Sequence, residues 1–372
     1  HRDLHSFPTR RSSDLMFLQS TLIRHKLITV ILVGLLLLVS LGCLSEAVTP
    51  PDLATEGPSA AWYALYFSSP SGKNSSGPDV PLVAAINAAE TQVDVAAYSM
   101  TLKDVRDALL SADHRGVKVR IVMESDNMDA QVPQDLMDAG IKIVGDRLEG
   151  LMHNKFVVID GKEVWTGSMN PTTSSAYQDN NNLIRIDSSE LARDYETEFE
   201  EMYLNDEFGP QNPANTPFPV VEMPDGTRVE VYFAPEDHVS DRLVSVLESA
   251  QKSIYLLAYS FTSNPIADAL IDRSKHGVVV KGVFDADRYA SDQGNDFDRL
   301  RQMKLDVHLD GNPGLMHHKV MIIDEHLVVL GSYNFTASAD KRNDENLIII
   351  DNPQIAQQMM DEFQRVFAEA QP

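Results

Sequence analysis

One eight-residue pattern occurs twice in this chain, as HNKFVVID at residues 153–160 and as HHKVMIID at residues 317–324. Each copy holds a histidine, a lysine two positions later, and an aspartate that follows four apolar residues typical of a buried β-strand. Side chains two positions apart on a strand point to the same face. The pattern therefore predicts that the histidine and the lysine of each copy project side by side.

The surrounding sequence repeats with nearly the same period. AYSMT at residues 97–101 returns 161 positions later as AYSFT at residues 258–262, whereas the histidine motif returns after 164 positions, so the second copy gains three residues. Solenoid repeats have units of about 20–50 residues, which excludes that class. The chain is therefore predicted to hold two homologous domains, 62–206 and 226–370, joined by the proline-rich linker 207–225.

Short apolar runs alternate with helical spacing within each copy. In the first copy, strands are predicted at 93–98 and 117–123, a helix at 102–114 between them, and a β-hairpin over 155–166. Alternating strands and helices indicate an α/β domain. We therefore predict that each copy is an α/β/α sandwich, a mixed sheet flanked by helices.

An imidazole beside an ammonium group forms a site for a phosphate, because the ammonium attracts the anion and the imidazole can attack phosphorus or donate a proton. Each copy continues with G-S-x-N-x-T, whose serine and asparagine are predicted to hold non-bridging phosphate oxygens. The motif aspartates lie at turns and are predicted to organise the loop. The predicted site residues are His153, Lys155, Asp160, Ser168, Asn170, His317, Lys319, Asp324, Ser332 and Asn334.

The paired motifs resemble those of the phospholipase D superfamily, over nearly all of residues 62–370. That resemblance implies that the two halves pack as a pseudo-twofold dimer around one active site. It also implies that a phosphodiester is cleaved without a metal or other cofactor, through a covalent phosphohistidine released by water or an alcohol. One histidine attacks phosphorus while the other protonates the leaving oxygen, and the roles then reverse.

Members of this superfamily often carry an acidic residue downstream of the motif histidine, where it accepts a hydrogen bond from the far ring nitrogen. Glu345 lies 28 positions after His317, and Asn181 lies 28 positions after His153, so these are the predicted pairs. A carboxylate raises the pKa of an imidazole, which suits a proton donor, whereas an amide leaves the ring neutral. We therefore predict that His153 is the nucleophile and His317 the general acid.

The amino-acid composition excludes several classes of function and of site. The 372 residues carry 31 Lys and Arg against 55 Asp and Glu, a net charge of −24, which excludes a surface dominated by a basic nucleic-acid stripe. A single cysteine excludes a disulfide scaffold and a cysteine-based zinc cluster. The acidic segment 196–201 is expected to face solvent. No metal site is predicted, and four acidic residues that follow equivalent strands are expected to cap or to be solvated: Glu124, Asp126, Asp285 and Asp287.

The N-terminal region has the layout of an export signal. Residues 1–15 show no hydrophobic period and are expected to be an assembly scar, whereas residues 16–43 place basic residues before an apolar run. The run ends in Ser-Leu-Gly-Cys, which resembles a lipoprotein box except for its serine, so Cys43 is either a lipidated membrane tether or part of an uncleaved anchor. Residues 44–61 are predicted to be a flexible tether. The body is expected outside the cytoplasm, secreted or membrane-anchored.

The motifs do not by themselves select a substrate. Export, a membrane tether and the absence of a basic stripe favour the head-group phosphodiester of a phospholipid, and we expect a monomer. One alternative is an extracytoplasmic endonuclease of the same superfamily, which would need many lysine and arginine contacts with nucleic-acid phosphates. Another is a catalytically silent surface binding module, which two intact motifs disfavour. His318 has the wrong strand parity for the site.

Overall fold

The computed structural model describes residues 62–68, 70, 76–147 and 150–370. The predicted scar, export signal, lipidation site and tether, at residues 1–61, lie outside these ranges. Among the residues described, no helix has the length and apolar character needed to cross a membrane.

The first half of the chain forms a seven-stranded sheet. Its strands are β1 Tyr63–Phe67, β2 Gln92–Ala97, β3 Lys118–Met123, β4 Ile143–Gly145, β5 Lys155–Ile159, β6 Glu163–Gly167 and β7 Asn182–Asp187. Their spatial order is β1-β7-β6-β5-β2-β3-β4. The pairs β2–β3 and β3–β4 are parallel, and the other pairs are antiparallel. The sheet is therefore mixed, as predicted, with the motif strand β5 at its centre.

The second half repeats this sheet and adds one strand. Its strands are β8 Val220–Glu222, β9 Arg228–Ala234, β10 Ser253–Ala258, β11 Val279–Phe284, β12 Asp306–Leu309, β13 Lys319–Ile323, β14 Leu327–Gly331 and β15 Glu345–Asp351. The order β12-β11-β10-β13-β14-β15-β9-β8 is that of the first sheet, extended by β8 at the edge. β8 comes from the segment predicted as a linker, so part of that segment joins the second sheet.

Helices cover the outer faces of both sheets and also lie between the sheets. They are α1 Asp79–Ala88, α2 Lys103–His114, α3 Gln131–Asp138, α4 Thr173–Tyr177, α5 Ser189–Glu200, α6 Val239–Ser249, α7 Asn264–Lys275, α8 Ala286–Ser291, α9 Phe297–Gln302, α10 Ala337–Lys341 and α11 Pro353–Glu369. α5 and α11 contribute to one central core, whereas α1 and α2 pack in the outer core of the first half and α6 and α7 in that of the second. The predicted α/β sandwich class is confirmed.

The motif strands are buried on both faces. Phe156 and Val158 of β5 share the central core with Val320 and Ile322 of β13, while the alternate residues of each strand enter the outer cores. This explains why the strands read as continuous apolar runs rather than alternating ones. Because one core takes side chains from both sheets, the described residues of the two halves form one compact unit.

A buried ion pair present only in the first half provides a stability prediction. Arg120 on β3 binds both carboxylate oxygens of Asp94 on β2 at 2.6 Å, and the two side chains are 3% and 0% exposed. We expect Arg120→Ala to lower the free energy of unfolding by about 3–5 kcal/mol, because it leaves the Asp94 charge buried without a cation, with a hydrogen bond from Gln92 remaining.

Equilibrium urea unfolding measures this loss. Arg185→Ala is the matched control, because Arg185 pairs with Glu163 at 3.2 Å with both side chains partly exposed. That variant should lose no more than about 1 kcal/mol. A loss of no more than about 1 kcal/mol for Arg120→Ala as well would show that the buried Asp94 charge does not need its cation.

Candidate active site

The two motif strands carry their histidines toward each other across the boundary between the halves. His153 and His317 each stand two residues before a strand begins, at the ends of β5 and β13. The backbone N–H of His153 donates to the carbonyl of Asp344, and that of His317 donates to the carbonyl of Asn180, both at 3.0 Å. These reciprocal bonds relate the halves by a pseudo-twofold axis and place both histidines in one site.

The histidine partners are exchanged between the halves. Nδ1 of His153 donates to Oε2 of Glu345 at 2.7 Å, and Nδ1 of His317 donates to Oδ1 of Asn181 at 2.8 Å. The prediction that Glu345 serves His317 and that Asn181 serves His153 is therefore wrong. Glu345 begins β15 and Asn181 immediately precedes β7. The spacing of 28 residues brings each to the site, but each then reaches across the axis to the other copy's ring.

The two serines of G-S-x-N-x-T hold these partners in place. Oγ of Ser168 donates to Oδ1 of Asn181 at 2.9 Å, and Oγ of Ser332 donates to Oε2 of Glu345 at 2.7 Å. Both serines are completely buried. Their hydroxyl protons are committed to the histidine partners, so the prediction that the serines hold phosphate oxygens is wrong, and their role is to orient Asn181 and Glu345.

The asparagines of the same motif remain available to a ligand. Asn170 is 9% exposed and Asn334 is partly buried, and the Oδ1 atom of each is buried with no hydrogen-bond partner among the described residues. Side-chain amides without a hydrogen-bond partner among the described residues are suited to a phosphate, to which their Nδ2 groups can donate. Their role as phosphate ligands stays a prediction.

Each motif lysine is buried and held against its own histidine loop. Nζ of Lys155 donates to the backbone carbonyl of His153, and Nζ of Lys319 to that of His317, both at 2.7 Å. Burial lowers the pKa of Lys155 to about 7, although the Glu345 carboxylate opposes the shift. Burial and the neighbouring Lys155 hold the pKa of Lys319 well below its ordinary value. An anionic substrate is what restores the charge of both groups.

The same buried environment lowers the pKa values of the two imidazoles. Burial lowers the pKa of His153 to about 4, with the Glu345 carboxylate acting in the opposite direction. Burial and the charges of Lys319 and Lys155 hold the pKa of His317 well below its ordinary value. Both rings are therefore neutral near pH 7 in the free protein, and the ring with an amide partner gives up a proton more readily than the ring with a carboxylate partner.

Two tyrosines complete the site and were missed as functional residues in the sequence. The rings of Tyr98 and His153 meet edge to face at a centroid distance of 5.0 Å, and those of Tyr259 and His317 at 4.5 Å. The same tyrosines lie under the lysine ammonium groups, at 5.3 and 4.5 Å. The tyrosine is repeated at the same position of AYSMT and AYSFT. That repetition is the sequence signal that identifies the two residues.

The motif aspartates lie at the far ends of their strands. Asp160 accepts hydrogen bonds from the backbone N–H groups of residues 90–92, and Asp324 accepts them from residues 251–253. Both occupy tight turns with φ near +50°. They tie each hairpin to the start of β2 or β10, in line with the loop-organising role predicted for them.

Other acidic residues singled out in the sequence also bind backbone groups. Glu124 accepts from the N–H of Met152 at 3.0 Å, and Asp285 accepts from the N–H of Met316 at 2.9 Å. Each thereby anchors the residue before a motif histidine. His318 is buried away from the site, where its ring nitrogens contact Asn182 and Glu362.

The expectation that segment 196–201 faces solvent is wrong for two of its glutamates. Glu198 is 2% exposed and Glu201 is 4% exposed. Burial of Phe199 and Met202 in the central core turns this side of α5 and the turn after it inward.

The pKa of Lys155 leads to a pH prediction. The ammonium is charged below a pKa of about 7 and loses its proton as the pH rises through that value. We therefore expect the affinity for a phosphonate monoester, a non-hydrolysable analogue of a phosphodiester that carries one constant negative charge, to fall by about tenfold per pH unit above pH 7. Isothermal titration calorimetry measures this affinity as a function of pH.

Lys155→Arg should flatten the pH dependence of the affinity, because a guanidinium stays charged. An equally steep dependence in that variant would assign the titration to another group.

Comparison with known proteins identifies the family of both halves and relatives that match about a third of the chain. The family described as "Cardiolipin synthase, PLD-like domain" matches residues 82–203 and 243–367, and so covers both halves. A protein named phospholipase D from Rickettsia typhi is 40% identical over 129 residues, which are 35% of this chain and 63% of that protein. The human protein named mitochondrial cardiolipin hydrolase is 32% identical over 131 residues, 35% of this chain and 52% of that protein.

A solved structure shares the fold over most of the chain. The phosphatidylserine synthase of Haemophilus influenzae has a TM-score of 0.62 and 14% sequence identity, and covers 82% of this chain and 87% of its own. The similarity supports the two-sheet architecture alone. The chain spans less than two thirds of the length of the two relatives compared by sequence.

Proposed function

Because the chain belongs to the phospholipase D superfamily, we propose that it is a phosphodiester hydrolase that acts on phospholipid head groups. The observation that carries this proposal is the reciprocal pairing of His153 with Glu345 and of His317 with Asn181 across the pseudo-twofold axis. Each bond engages Nδ1, which leaves Nε2 of both rings free for phosphorus or for a leaving oxygen. Two lysines beside them supply the anion site.

The first half-reaction transfers the phosphoryl group to the protein. Nε2 of one neutral imidazole attacks phosphorus, and the bond from phosphorus to the head-group oxygen breaks. The other ring takes up a proton when the anionic substrate binds, and as an imidazolium it gives its Nε2 proton to that oxygen, so that the alcohol departs. In the second half-reaction the same ring removes a proton from water, whose oxygen attacks phosphorus. The P–N bond then breaks, releasing phosphatidic acid and restoring both histidines.

The exchanged partners support His153 as the nucleophile for a reason opposite to the sequence argument. During the first step, positive charge leaves the proton donor and forms on the attacking ring, because the ring of a phosphohistidine with a protonated Nδ1 is cationic. A buried cation needs a counter-charge. Glu345 offers that charge to His153, whereas Asn181 offers His317 only an amide. Transfer from His317 to His153 therefore moves the charge to the better-stabilised ring.

Several observations support a lipid over a nucleic acid. The two relatives compared by sequence are named phospholipase D and cardiolipin hydrolase. The net charge of −24 opposes the approach of a polyanion. Near the site, the guanidinium of Arg288 lies over the ring of Tyr259 at 4.8 Å, whereas the first half has Asn127 at the equivalent position. The basic character is thus local, enough for one head-group phosphate. We also propose export, from the signal-like layout of residues 16–43.

A substrate panel tests the function. The purified protein is incubated in EDTA with vesicles of labelled phosphatidylcholine or cardiolipin and, separately, with single- and double-stranded oligonucleotides. We expect release of a labelled head group and phosphatidic acid, and no oligonucleotide cleavage. His326→Ala, which alters a half-exposed histidine outside the site, should retain activity. Cleavage of oligonucleotides alone would replace the lipid proposal with a nuclease, and activity abolished by EDTA would contradict the metal-free mechanism.

A further inference from the structure

Behind the His153 half-site, three glutamates form a buried acidic cluster. Glu198 lies on α5, Glu201 begins the π-helical turn Glu201–Asn205 that follows, and Glu236 lies in the loop after β9. One carboxylate oxygen from each lies within 4.8 Å of the other two. The three residues come from both halves, so the cluster lies where the end of the first half meets the start of the second.

The cluster has no cationic partner in the part of the chain that the structure describes. Among the residues that the structure describes, no lysine, arginine or histidine forms an ion pair with any of the three glutamates. A fourth buried carboxyl group, that of Asp344, is close enough for its charge to raise the pKa of Glu198 further. Several carboxylates buried together are strongly unfavourable unless a cation or protons neutralise them.

Oxygen atoms around the cluster are also left without hydrogen-bond partners. A side-chain oxygen of Glu201, which is 4% exposed, and one of Glu236 are fully buried and accept no hydrogen bond within the described ranges. Asn212, 7% exposed, donates its Nδ2 to Asp344 at 3.0 Å, which leaves its own Oδ1 buried without a donor. Buried polar atoms are almost always satisfied, so these unpaired oxygens are available to a ligand such as a cation.

We propose that this cluster binds one divalent cation of the oxygen-preferring class, best matched by Ca²⁺. Ca²⁺ takes carboxylate and amide oxygens at about 2.3–2.6 Å, so two ligand oxygens on opposite sides of the ion lie up to about 5 Å apart. The 4.8 Å limit among the three glutamate oxygens fits that span. The absence of cysteine and histidine from the cluster disfavours Zn²⁺, whose usual ligands are sulfur and nitrogen.

The ion would stabilise the position of His153 without taking part in the reaction. Oε1 of Glu198 accepts from Nδ2 of Asn154, the residue between His153 and Lys155, at 3.0 Å. The carbonyl of Asp344, the residue before Glu345, accepts from the N–H of His153. A cation at the cluster therefore helps to hold the loop of His153 in place through Glu198 and Asn154, while phosphorus is attacked and released by imidazoles alone.

Protons are the competing means of neutralising the cluster. Burial raises the pKa of Glu201 to about 7 and that of Glu236 to about 8, and the Glu198 and Glu236 side chains hydrogen-bond to each other. Each proton taken up in this way removes one negative charge from the cluster without a metal. The two states differ in whether the protein takes up Ca²⁺, which is directly measurable.

Calcium titration of the full-length protein tests the proposal. Isothermal titration calorimetry at pH 7.5 should show one saturable Ca²⁺ site per chain, and saturating Ca²⁺ should raise the melting temperature by about 5 °C relative to EDTA. Glu201→Gln and Glu236→Gln, each of which removes one ligand charge, should weaken binding at least tenfold and shrink the thermal shift. Lipid cleavage well below the melting temperature should continue in EDTA.

Glu190→Gln is the matched control, because it removes an exposed carboxylate from the same helix. It should leave the Ca²⁺ affinity and the thermal shift unchanged. Absence of saturable Ca²⁺ binding by the unaltered protein would overturn the proposal and leave protons as the neutralising species. Binding that survives in both cluster variants would also overturn it, because the ion would then lie elsewhere. Neither result depends on whether the substrate is a lipid or a nucleic acid.

Discussion

Replacing His317 with alanine is expected to leave the protein able to form a phosphoenzyme from an activated diester, whereas replacing His153 with alanine abolishes it. The reason is the division of labour that the exchanged partners support. p-Nitrophenolate departs without a proton, so bis(p-nitrophenyl) phosphate does not need the general acid for the first step. It does need a nucleophile, and only His153 has a carboxylate to stabilise the resulting cation.

The size of the effect depends on the leaving group. General acid–base catalysis contributes about 10²–10⁴-fold, so His317→Ala should lose that much on a phospholipid, whose alkoxide leaving group must be protonated. With the p-nitrophenyl ester, the same variant should release a burst of one p-nitrophenolate per chain and then stall, because no base activates water. Burst kinetics measures the amplitude, and mass spectrometry under neutral conditions locates the phosphate.

His326→Ala, outside the site, controls for general damage to the protein and should turn over continuously. A burst retained by His153→Ala, or a phosphate mapped to His317, would reverse the two roles. Loss of the burst from both variants, with folding intact by circular dichroism, would mean that the two rings act only together and that the assignment of separate roles is wrong.

The second large loss of turnover is expected when Glu345 is replaced. Its carboxylate accepts the Nδ1 proton of His153 at 2.7 Å and also the hydroxyl proton of Ser332 at 2.7 Å. Glu345→Gln keeps the shape but removes the counter-charge of the phosphohistidine. We expect turnover to fall by about 10²–10³-fold, the size of loss that follows removal of one preorganised electrostatic group in an active site.

The leaving group distinguishes which ring Glu345 serves. If it serves His153, the loss persists with bis(p-nitrophenyl) phosphate, because the nucleophile is affected. If it served the general acid His317, the defect would largely disappear with that substrate. Ser332→Ala is the milder comparison, because it removes one hydrogen bond from Glu345 and keeps the charge, and about a tenfold loss is expected. Recovery of Glu345→Gln on the activated ester would contradict the exchanged pairing.

Local sequence was sufficient for the fold class and for the content of each half-site. The apolar runs after Lys155 and Lys319 predicted the central strands, and these form β5 and β13. Spacing of two residues predicted that each histidine would lie beside its lysine, and the duplication indicated two copies of one mixed sheet. These features depend on strand periodicity and on contacts between residues close in sequence, which the order of side chains determines directly.

The sequence did not determine which residue each motif histidine is bonded to. A spacing of 28 residues suggested pairs within each copy, but His153 is bonded to Glu345, 192 residues away, and His317 to Asn181, 136 residues away. Likewise, the acidic composition of α5 predicted a solvent face, but packing against the second half buries Glu198 and Glu201.

The sequence by itself thus determined the two motifs, the strands that carry them and the duplication. Only the tertiary structure decided that the halves exchange histidine partners, that the serines hold those partners rather than a phosphate, and that glutamates from both halves are buried together. The physical reason is that these contacts form at the interface between the halves. Their geometry is set by the shared core that packs one sheet toward the other, and no local pattern encodes it.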